Sequence, residues 1–297
     1  MKFARVCLVG YGEVGRVFCS GLKPKSGVAA IGAWDLKFLP GAAQRDSALA
    51  HAAQAGVGVC ASLQQACART DLLISAVTAS NTLAVALEAA QWIRPGTWFL
   101  DLNSASPGTR QRAAAAIDGA GAHYVEAGVM TSVPPYGIRV PMLLGGLAAP
   151  TLAAQLTAWG MDAKVVSERI GVASAIKMCR SVMIKGLEAL VIESYATARH
   201  YGVEEHVLPT LAETFPSIDW EAQGSYFFRR VVQHGKRRAE EMREAALTVR
   251  EAGFEPWMAQ AIAAKQDWVA QQAGAGRFDD LPMDAHWQQF ADRLLAR

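Results

Sequence analysis

The feature that most constrains this chain is a glycine-rich turn directly after its first apolar run. Residues 6–9 are Val-Cys-Leu-Val, and Gly10, Gly12 and Gly15 follow in the spacing Gly-x-Gly-x-x-Gly. The first glycine permits a tight turn from strand to helix, the second lets the backbone approach a pyrophosphate, and the third lets the helix pack against the strand. Amides at the beginning of that helix can then hold phosphate groups.

An acidic residue, Asp35, lies twenty positions beyond Gly15, at the end of a second apolar run over residues 29–34. There a carboxylate can accept hydrogen bonds from ribose hydroxyls, and its charge would repel the additional phosphate of NADP. An aspartate in this position can also cap a turn. We predict a dinucleotide site formed by Gly10, Tyr11, Gly12, Glu13, Val14 and Asp35. The predicted cofactor is NAD or NADP. Asp35 favours NAD, whereas the positively charged side chains of Lys37 and Arg45 would weaken that preference.

Composition limits the class of protein. The chain has 297 residues, of which 52% are hydrophobic and 19% charged, enough for two domains with large buried cores. The net charge of +2 gives no argument for nucleic acid or an anionic membrane as a partner. No apolar stretch of membrane-spanning length lacks charges or glycines, and the first apolar run begins too early to leave room for a signal peptide. We therefore expect a cytoplasmic protein.

The cysteines do not predict a metal site. Their number, five, is odd, no two form a Cys-x-x-Cys pair, and no histidine stands at metal-ligand spacing from one. We expect no metal and interpret the cysteines as small buried apolar residues. They are Cys7, Cys19, Cys60, Cys67 and Cys179.

The order of apolar runs predicts two domains. Over residues 1–167, short apolar runs alternate with alanine-rich helical stretches, which is typical of βαβ units on a parallel sheet. The predicted strands are residues 6–9, 30–34, 72–77, 98–102, 123–126, 141–144 and 164–166. Residues 168–297 have the pattern of successive helices, joined to the first domain by a long helix over about residues 171–201. The predicted fold class is α/β: a Rossmann-type, doubly wound, mainly parallel sheet followed by an all-helical domain.

Residues that end or follow predicted strands are further binding candidates. Ligands of open α/β sheets collect outside the carboxyl ends of the strands. Val77, Thr78 and Asn103 stand at the ends of the third and fourth predicted strands. We assign these three residues to the cofactor site.

A polar stripe marks the long helix. Lys177, Ser181, Lys185 and Glu188 follow one another at steps of four, four and three residues, so they share one helix face. The positions around them are mostly apolar, and polar groups inside a buried helix require a function or a partner. The stripe is open to two interpretations: a functional site, or a solvent-facing side with an internal pair of Lys185 and Glu188.

These features, in this order, resemble the β-hydroxyacid dehydrogenase and 6-phosphogluconate dehydrogenase superfamily over essentially the full length. The matching segments are residues 10–15, Asp35, residues 75–78 (Ser-Ala-Val-Thr), residues 101–107 (Asp-Leu-Asn-Ser-Ala-Ser-Pro), Gly171 and Lys177. The family carries a lysine six residues after a glycine at the start of its interdomain helix, the spacing of Gly171 and Lys177. The resemblance implies that Lys177 is catalytic, that Ser104 lies at the nicotinamide end, and that the helical domain forms a homodimer. Ser104 could also cap the helix that begins near Pro107.

Lysine suits this chemistry physically. Oxidising an alcohol requires a base within hydrogen-bond reach of the hydroxyl as hydride leaves the carbon. A lysine is normally protonated, but partial desolvation beside a positively charged nicotinamide ring would lower its pKa. Lys177 would then accept the proton during oxidation and return it during reduction.

The chain departs from the family pattern where the substrate carboxylate is bound. The resemblance aligns the family's Asp-x-Pro-x-Ser-Gly-Gly with residues 126–132, Glu-Ala-Gly-Val-Met-Thr-Ser. Thr131 and Ser132 replace two glycines, so side chains obstruct a close backbone approach while adding hydroxyl donors. The family's asparagine four residues after the lysine is Ser181 here. We assign Ser104, Thr131, Ser132 and Ser181 to the substrate site, and the usual small β-hydroxy acid is in doubt as the substrate.

A second polar face follows in the helical domain. Arg230, His234, Arg238 and Glu241 stand at steps of four, four and three residues. Arginine binds carboxylates bidentately, so Arg238 is a candidate clamp for an anionic substrate. The alternative is a solvated helix whose cations are compensated by neighbouring glutamates, and these glutamates argue against nucleic-acid binding.

The sequence thus predicts an NAD(P)-dependent oxidoreductase that interconverts a hydroxyl and a carbonyl group on a small acidic substrate, with Lys177 as general acid and base. One alternative is an imine reductase, whose plan is similar but generally lacks a lysine at this position. The other is a nucleotide-sensing protein that binds the cofactor without turnover. Neither nucleic acid nor a membrane is expected as a partner.

Overall fold

The computed structural model describes residues 3–282 and 284–296. The chain divides into two units, Met1–Met178 and Cys179–Arg297. The first contains an eight-stranded, mostly parallel sheet with helices, and the second is helical, so the predicted fold class is confirmed. One long helix, Val172–Tyr201, begins in the first unit and continues into the second.

The sheet is built from strands β1 (Arg5–Val9), β2 (Ala30–Trp34), β3 (Gly58–Val59), β4 (Leu72–Ser75), β5 (Trp98–Asp101), β6 (His123–Val129), β7 (Met142–Gly145) and β8 (Ala163–Ser167). Their order is β3-β2-β1-β4-β5-β6-β7-β8, and every neighbouring pair is parallel except β6 with β7. The sequence does not predict β3, because two residues are too short to show a periodicity. β6 continues to Val129, beyond its predicted end at Glu126.

The helices of this unit are α1 (Glu13–Leu22), α2 (Arg45–Ala55), α3 (Leu63–Ala68), α4 (Thr82–Ala90), α5 (Pro107–Gly119) and α6 (Ala149–Ala158). Side chains alternate along β1, so that Val6 and Leu8 enter one apolar core while Cys7 and Val9 enter the other. Helices α1, α2 and α6 contribute to the first core, and α3, α4 and α5 contribute to the second. Both faces of the sheet are therefore covered, which is why its strands are continuous apolar runs in the sequence.

The helical unit comprises the rest of α7 (Val172–Tyr201), then α8 (Glu204–Thr214), α9 (Trp220–Glu251), α10 (Trp257–Gly274) and α11 (Trp287–Leu295). Its core includes the fully buried rings of Tyr195, Phe228 and Trp287. At Gly235, α9 approaches α10 so closely that a Cβ atom would lie 2.7 Å from the carbonyl oxygen of Gln266. In the described part of the chain, none of the helices combines the length and apolar character needed to cross a bilayer.

Buried charges in the helical unit overturn one interpretation of the polar stripe. Lys185 and Glu188 are only 5% and 2% exposed, so their side of α7 does not face solvent. Their ion-pair partners lie on α9: Lys185 Nζ is 2.8 Å from Glu241 Oε2, and Glu188 pairs with Arg238. Burial lowers the pKa of Lys185, and the carboxylate of Glu241 opposes that shift. The predicted solvent-facing side with an internal pair is wrong, because the charges are neutralised between two helices.

The cysteines are only partly the buried residues that the sequence predicts. Cys7, Cys19 and Cys67 are buried, Cys60 is half-buried and Cys179 is exposed. Burial raises the pKa of both Cys19 and Cys67 to about 12, since the thiolate is disfavoured in an apolar setting. The prediction is wrong for Cys179.

Candidate functional site

The glycine-rich turn lies where the strand order of the sheet reverses, between β1 and β4. Gly10 has a φ of +99°, and its amide donates to the carbonyl of Trp34 at 2.8 Å. A Cβ atom on Gly10 would lie 2.3 Å from the carbonyl oxygen of Ala76, which follows β4. Any side chain here would clash with backbone, so the turn requires glycine at this position.

The other two glycines have different surroundings. A Cβ atom on Gly15 would lie 2.0 Å from the carbonyl oxygen of Gly10, so Gly15 lets α1 pack onto the turn. A Cβ atom on Gly12 would meet nothing within 4 Å. Gly12 is also the N-cap residue of α1, and no side chain caps that helix. Open space in front of uncapped helix amides fits a bound pyrophosphate.

This difference between the glycines predicts distinct variants. We expect Gly12→Ala to leave the melting temperature unchanged and to raise the Kd for NAD(P) about tenfold or more, because the methyl group would occupy the space of a phosphate; tenfold is about 1.4 kcal/mol. Calorimetric titration of cofactor and thermal unfolding measure both quantities. Gly119, whose Cβ atom would also meet nothing within 4 Å, provides the control Gly119→Ala. Unchanged cofactor affinity in Gly12→Ala would contradict the phosphate position.

Asp35 fills the capping role that the sequence leaves open, and its second carboxylate oxygen binds the glycine-rich turn. Its Oδ1 accepts from the amide of Lys37 at 2.8 Å and so caps the short turn Leu36–Phe38. Its Oδ2 accepts from the amide of Tyr11 at 2.6 Å and so faces the glycine-rich turn. A carboxylate has about four acceptor positions, so these two bonds leave capacity for ribose hydroxyls.

The remaining residues of the turn differ in the exposure of their side chains. The ring of Tyr11 is fully buried, and its hydroxyl lies 3.0 Å from His51 Nδ1. Glu13 is exposed and Val14 is half-buried at the beginning of α1. The predicted cofactor role of Tyr11 therefore rests on its backbone.

Asn103 joins the ends of β4 and β5. Its Oδ1 accepts from the amide of Val77 at 2.6 Å, and its Nδ2 donates to Ser75 Oγ at 2.9 Å. The residue is only 3% exposed, so its side chain supports the turn that carries Val77 and Thr78. Thr78 itself is exposed, and its hydroxyl accepts from Asn81 Nδ2 at 2.8 Å. The structure thus brings Val77, Thr78 and Asn103 together at one edge of the sheet.

A buried ion pair beneath this edge is not predicted from the sequence. Arg110 Nη1 lies 2.6 Å from Asp101 Oδ1, and the two side chains are 1% and 0% exposed. Tyr124 donates its hydroxyl to Asp101 Oδ2 at 2.7 Å, and Arg110 also donates to the carbonyls of Asn103 and Ala127. Burial is the largest influence on the pKa of Arg110 and lowers it, but the charge of Asp101, together with Tyr124 and Glu126, outweighs burial, so the net shift is upward. This pair fixes the turn after β5 against β6.

Ser104 lies half-buried in the turn after β5. The N-cap of α5 is Ser106, whose Oγ accepts from the amide of Thr109 at 3.2 Å. The alternative role of Ser104 as that cap is therefore wrong. The helix begins at Pro107, and the cap position directly precedes it.

Lys177 lies in the second turn of α7, beside β6. A Cβ atom on Gly128 of β6 would lie 3.0 Å from the carbonyl oxygen of Ala173 and 3.7 Å from Cβ of Lys177. Glycine at this position lets the helix pack directly on the strand. The chain leaving β6 carries Thr131, which is exposed, and Ser132, which is half-buried. The half-buried Lys177 thus stands next to the strand that leads into two predicted substrate residues.

Two predicted substrate residues belong to the helical unit and have partners there. Ser181 is 7% exposed, and its hydroxyl accepts from Lys185 Nζ at 3.2 Å. Arg238 is 5% exposed and forms a bidentate ion pair with Glu188, which also accepts from Gln266 Nε2 at 3.3 Å. The clamp requires an arginine whose charge is available to a substrate. We therefore correct the interpretation of Arg238, because a carboxylate of its own unit already neutralises it.

Two family models match separate parts of the chain. Residues 5–134 match the NAD binding domain of 6-phosphogluconate dehydrogenase, and residues 198–269 match a domain of unknown function, DUF1932. The first match includes the glycine-rich turn, Asp35 and the ends of β4 and β5. The sheet unit is therefore an NAD(P)-binding domain.

Solved structures extend the similarity along the chain. A conserved hypothetical protein from Sinorhizobium meliloti 1021 is 36% identical, with a TM-score of 0.75 over 98% of this chain and 95% of its own. A conserved protein of unknown function, reported as structurally similar to 3-hydroxyacid dehydrogenases, is 29% identical, with a TM-score of 0.67 over 91% of this chain and 98% of its own. The 3-hydroxyisobutyrate dehydrogenase of Mycobacterium tuberculosis, solved with L-serine, is 17% identical, with a TM-score of 0.67 over 100% of both chains, and shares the fold.

Proposed function

Because the chain belongs to the β-hydroxyacid dehydrogenase and 6-phosphogluconate dehydrogenase superfamily, we propose that it is an NAD(P)-dependent oxidoreductase that interconverts a hydroxyl and a carbonyl group on a small acidic substrate. The observation that carries the proposal is the position of Lys177. Its helix packs on β6 at Gly128, in the same unit as the dinucleotide-binding turn. A lysine there is a candidate base beside a cofactor-binding edge.

In the proposed reaction, NAD(P)⁺ bound at this edge supplies the hydride acceptor. Gly10, Gly12 and the beginning of α1 would hold its phosphates, and Asp35 would accept a hydrogen bond from a ribose hydroxyl. Lys177 takes the proton of the substrate hydroxyl at Nζ during oxidation and returns it during reduction. The side chain of Asn103 holds the turn that carries Val77 and Thr78, the two residues that would contact the cofactor beside it.

The substrate is proposed to be a small carboxylic acid. Thr131 and Ser132 supply hydroxyl donors where the family carries glycines, and Ser104 follows β5 at the same edge of the sheet. Hydroxyls can donate to a carboxylate, but they also take space that glycines would leave open. This composition favours an acid that differs from the usual β-hydroxy acid around its carboxylate.

A spectrophotometric screen of hydroxy acids with NAD⁺ and NADP⁺ in parallel tests the proposal. We expect reduction of the cofactor by at least one hydroxy acid, faster with NAD⁺, and little with alcohols that lack a carboxylate. Asp35→Ser should narrow the ratio of kcat/KM between the two cofactors, because it removes the charge that repels the additional phosphate of NADP. Faster turnover with NADP⁺ by the unchanged protein would refute the role of Asp35, and equal turnover of uncharged alcohols would refute an acidic substrate.

We also propose that the helical unit forms a homodimer, as the resemblance implies. The turn from α9 to α10 exposes three large apolar side chains in near succession: Phe254, Trp257 and Met258 are 71%, 73% and 57% exposed. Apolar clusters of this kind commonly mark protein interfaces. A second copy of the chain is the proposed partner.

Light scattering of Trp257→Glu tests the dimer. We expect the molar mass to fall from that of a dimer toward 31.8 kDa, because a charge would be buried in the interface. Trp92→Glu, at an exposed tryptophan of the sheet unit, is the matched control and should leave the mass unchanged. An unchanged mass for Trp257→Glu, or a monomeric parent protein, would count against this surface.

A further inference from the structure

Helix α7 begins at a residue that cannot cap it. Gly171 accepts the first helical hydrogen bond, from the amide of Ala175 at 2.9 Å, so it occupies the N-cap position. Its φ of +104° favours glycine, and glycine has no side chain to accept from the first amides of the helix. Helix amides left unpaired in a buried setting are costly, so a partner must come from elsewhere.

The partner is Glu126 on β6. Its Oε1 accepts from the amide of Gly171 at 2.8 Å and from the amide of Ala173 at 3.1 Å. In a capping box, two side chains of the same helix satisfy the N-cap amide and an amide of the first turn. Here one carboxylate from a strand 45 positions earlier serves both amides.

The surroundings of Glu126 are shaped around this contact. The residue is 0% exposed, and a Cβ atom on Gly145 of the neighbouring strand β7 would lie 2.5 Å from its Oε1. Gly128, two residues along β6, leaves the space in which Ala173 and Lys177 pack. The strand, the carboxylate and the helix start therefore form one close-packed set that sets the height and rotation of α7 on β6.

We propose that Glu126 is a positioning residue for Lys177. It anchors the first turn of α7, and Lys177 follows one turn later on a helix that is rigid over that distance. This inference rests on the proposed function of Lys177. It gives Glu126 a role apart from the substrate carboxylate, although the resemblance aligns it with the motif that binds that group. A negative charge at the beginning of a helix is also favoured by the helix dipole.

Three variants test the proposal. Glu126→Leu removes both acceptor bonds, Glu126→Asp withdraws the carboxylate by one methylene group, and Glu126→Gln keeps an acceptor oxygen of the same reach. We expect kcat to fall about tenfold or more in the Leu and Asp variants, with the Kd for NAD(P) unchanged, and most of kcat to return in the Gln variant. A loss of tenfold corresponds to about 1.4 kcal/mol of transition-state stabilisation. If Glu126→Leu does not fold, the comparison is made between Glu126→Asp and Glu126→Gln.

Asp219→Ala is the matched control. Asp219 is the carboxylate cap of α9 and accepts from the amide of Ala222 at 3.0 Å. Its removal should lower the melting temperature without changing kcat per folded molecule, which separates loss of a cap from loss of position. If the Glu126 variants keep kcat, or lose kcat and cofactor affinity together, the positioning role is overturned.

Hydrogen–deuterium exchange gives a readout that does not depend on turnover. The amides of Gly171 and Ala173 should exchange faster in Glu126→Leu and Glu126→Asp, and at the parent rate in Glu126→Gln. Unchanged exchange in the Leu and Asp variants would refute the capping contact itself. Full activity of Lys177→Ala alongside faster exchange would instead refute the proposed function and leave the contact intact.

Discussion

Replacing Lys177 with alanine is expected to lower kcat for hydroxy-acid oxidation by about a hundred- to ten-thousand-fold, the range contributed by a positioned general base. The Kd for NAD(P) should stay within about twofold, because the residues proposed to hold the cofactor lie on the turns after β1, β2, β4 and β5. Steady-state kinetics with the best acid from the substrate screen and calorimetric titration of the cofactor measure the two effects separately.

Lys164→Ala is the matched control, since Lys164 is an exposed lysine of the same unit on strand β8. It should retain parent activity. If Lys177→Ala retains turnover, general acid and base chemistry at this position is refuted. If the parent protein binds NAD(P) and turns over none of the acids, the nucleotide-sensing alternative is favoured.

Removing the buried guanidinium of Arg110 is the second large effect. We expect Arg110→Met to lower the free energy of unfolding of the sheet unit by about 3–5 kcal/mol, because it leaves the carboxylate of Asp101 buried without its ion-pair partner. Denaturant unfolding followed by circular dichroism measures the change. The double variant Asp101→Leu with Arg110→Met should recover much of the loss, since it removes both buried charges.

A surface pair provides the comparison for Arg110. Arg94 lies 3.8 Å from Asp71, and both side chains are partly exposed to solvent. Arg94→Met should change the free energy of unfolding by less than about 1 kcal/mol, because solvent screens such pairs. A loss from Arg110→Met as small as that of Arg94→Met would show that the network around Asp101 contributes little.

Much of the sheet unit was predictable because its signals are local. A strand buried on both faces is a short continuous apolar run, and the glycine spacing after residues 6–9 follows from the geometry of one turn. The dependence on local signals also explains which parts of the sheet were not predicted. β3 is too short for any pattern, and the end of β6 is hidden because Ala127 and Gly128 resemble loop residues as readily as strand residues.

The site was predictable only in part, for a related reason. Local motifs predict binding roles for Gly10, Asp35 and the turns that carry Val77 and Thr78, since each predicted role depends on a residue's own backbone and its immediate neighbours. They do not identify the role of Asn103 as a tie between two strand ends, because its partners lie 26 and 28 positions away.

For charged side chains too, some properties follow from local sequence and others only from tertiary packing. Local sequence alone specified a dinucleotide-binding sheet and a helical second half, because turn geometry and periodicity act over a few residues. The spacing of Gly171 and Lys177 had a meaning only through the resemblance to the family. Three-dimensional packing alone decided which charges are neutralised: Arg238 pairs with Glu188 across 50 positions, and Glu126 caps α7 across 45. The physical reason is that a buried charge must be paired, and it pairs with the group that the fold places beside it. The separation of two residues along the chain does not predict which group that is.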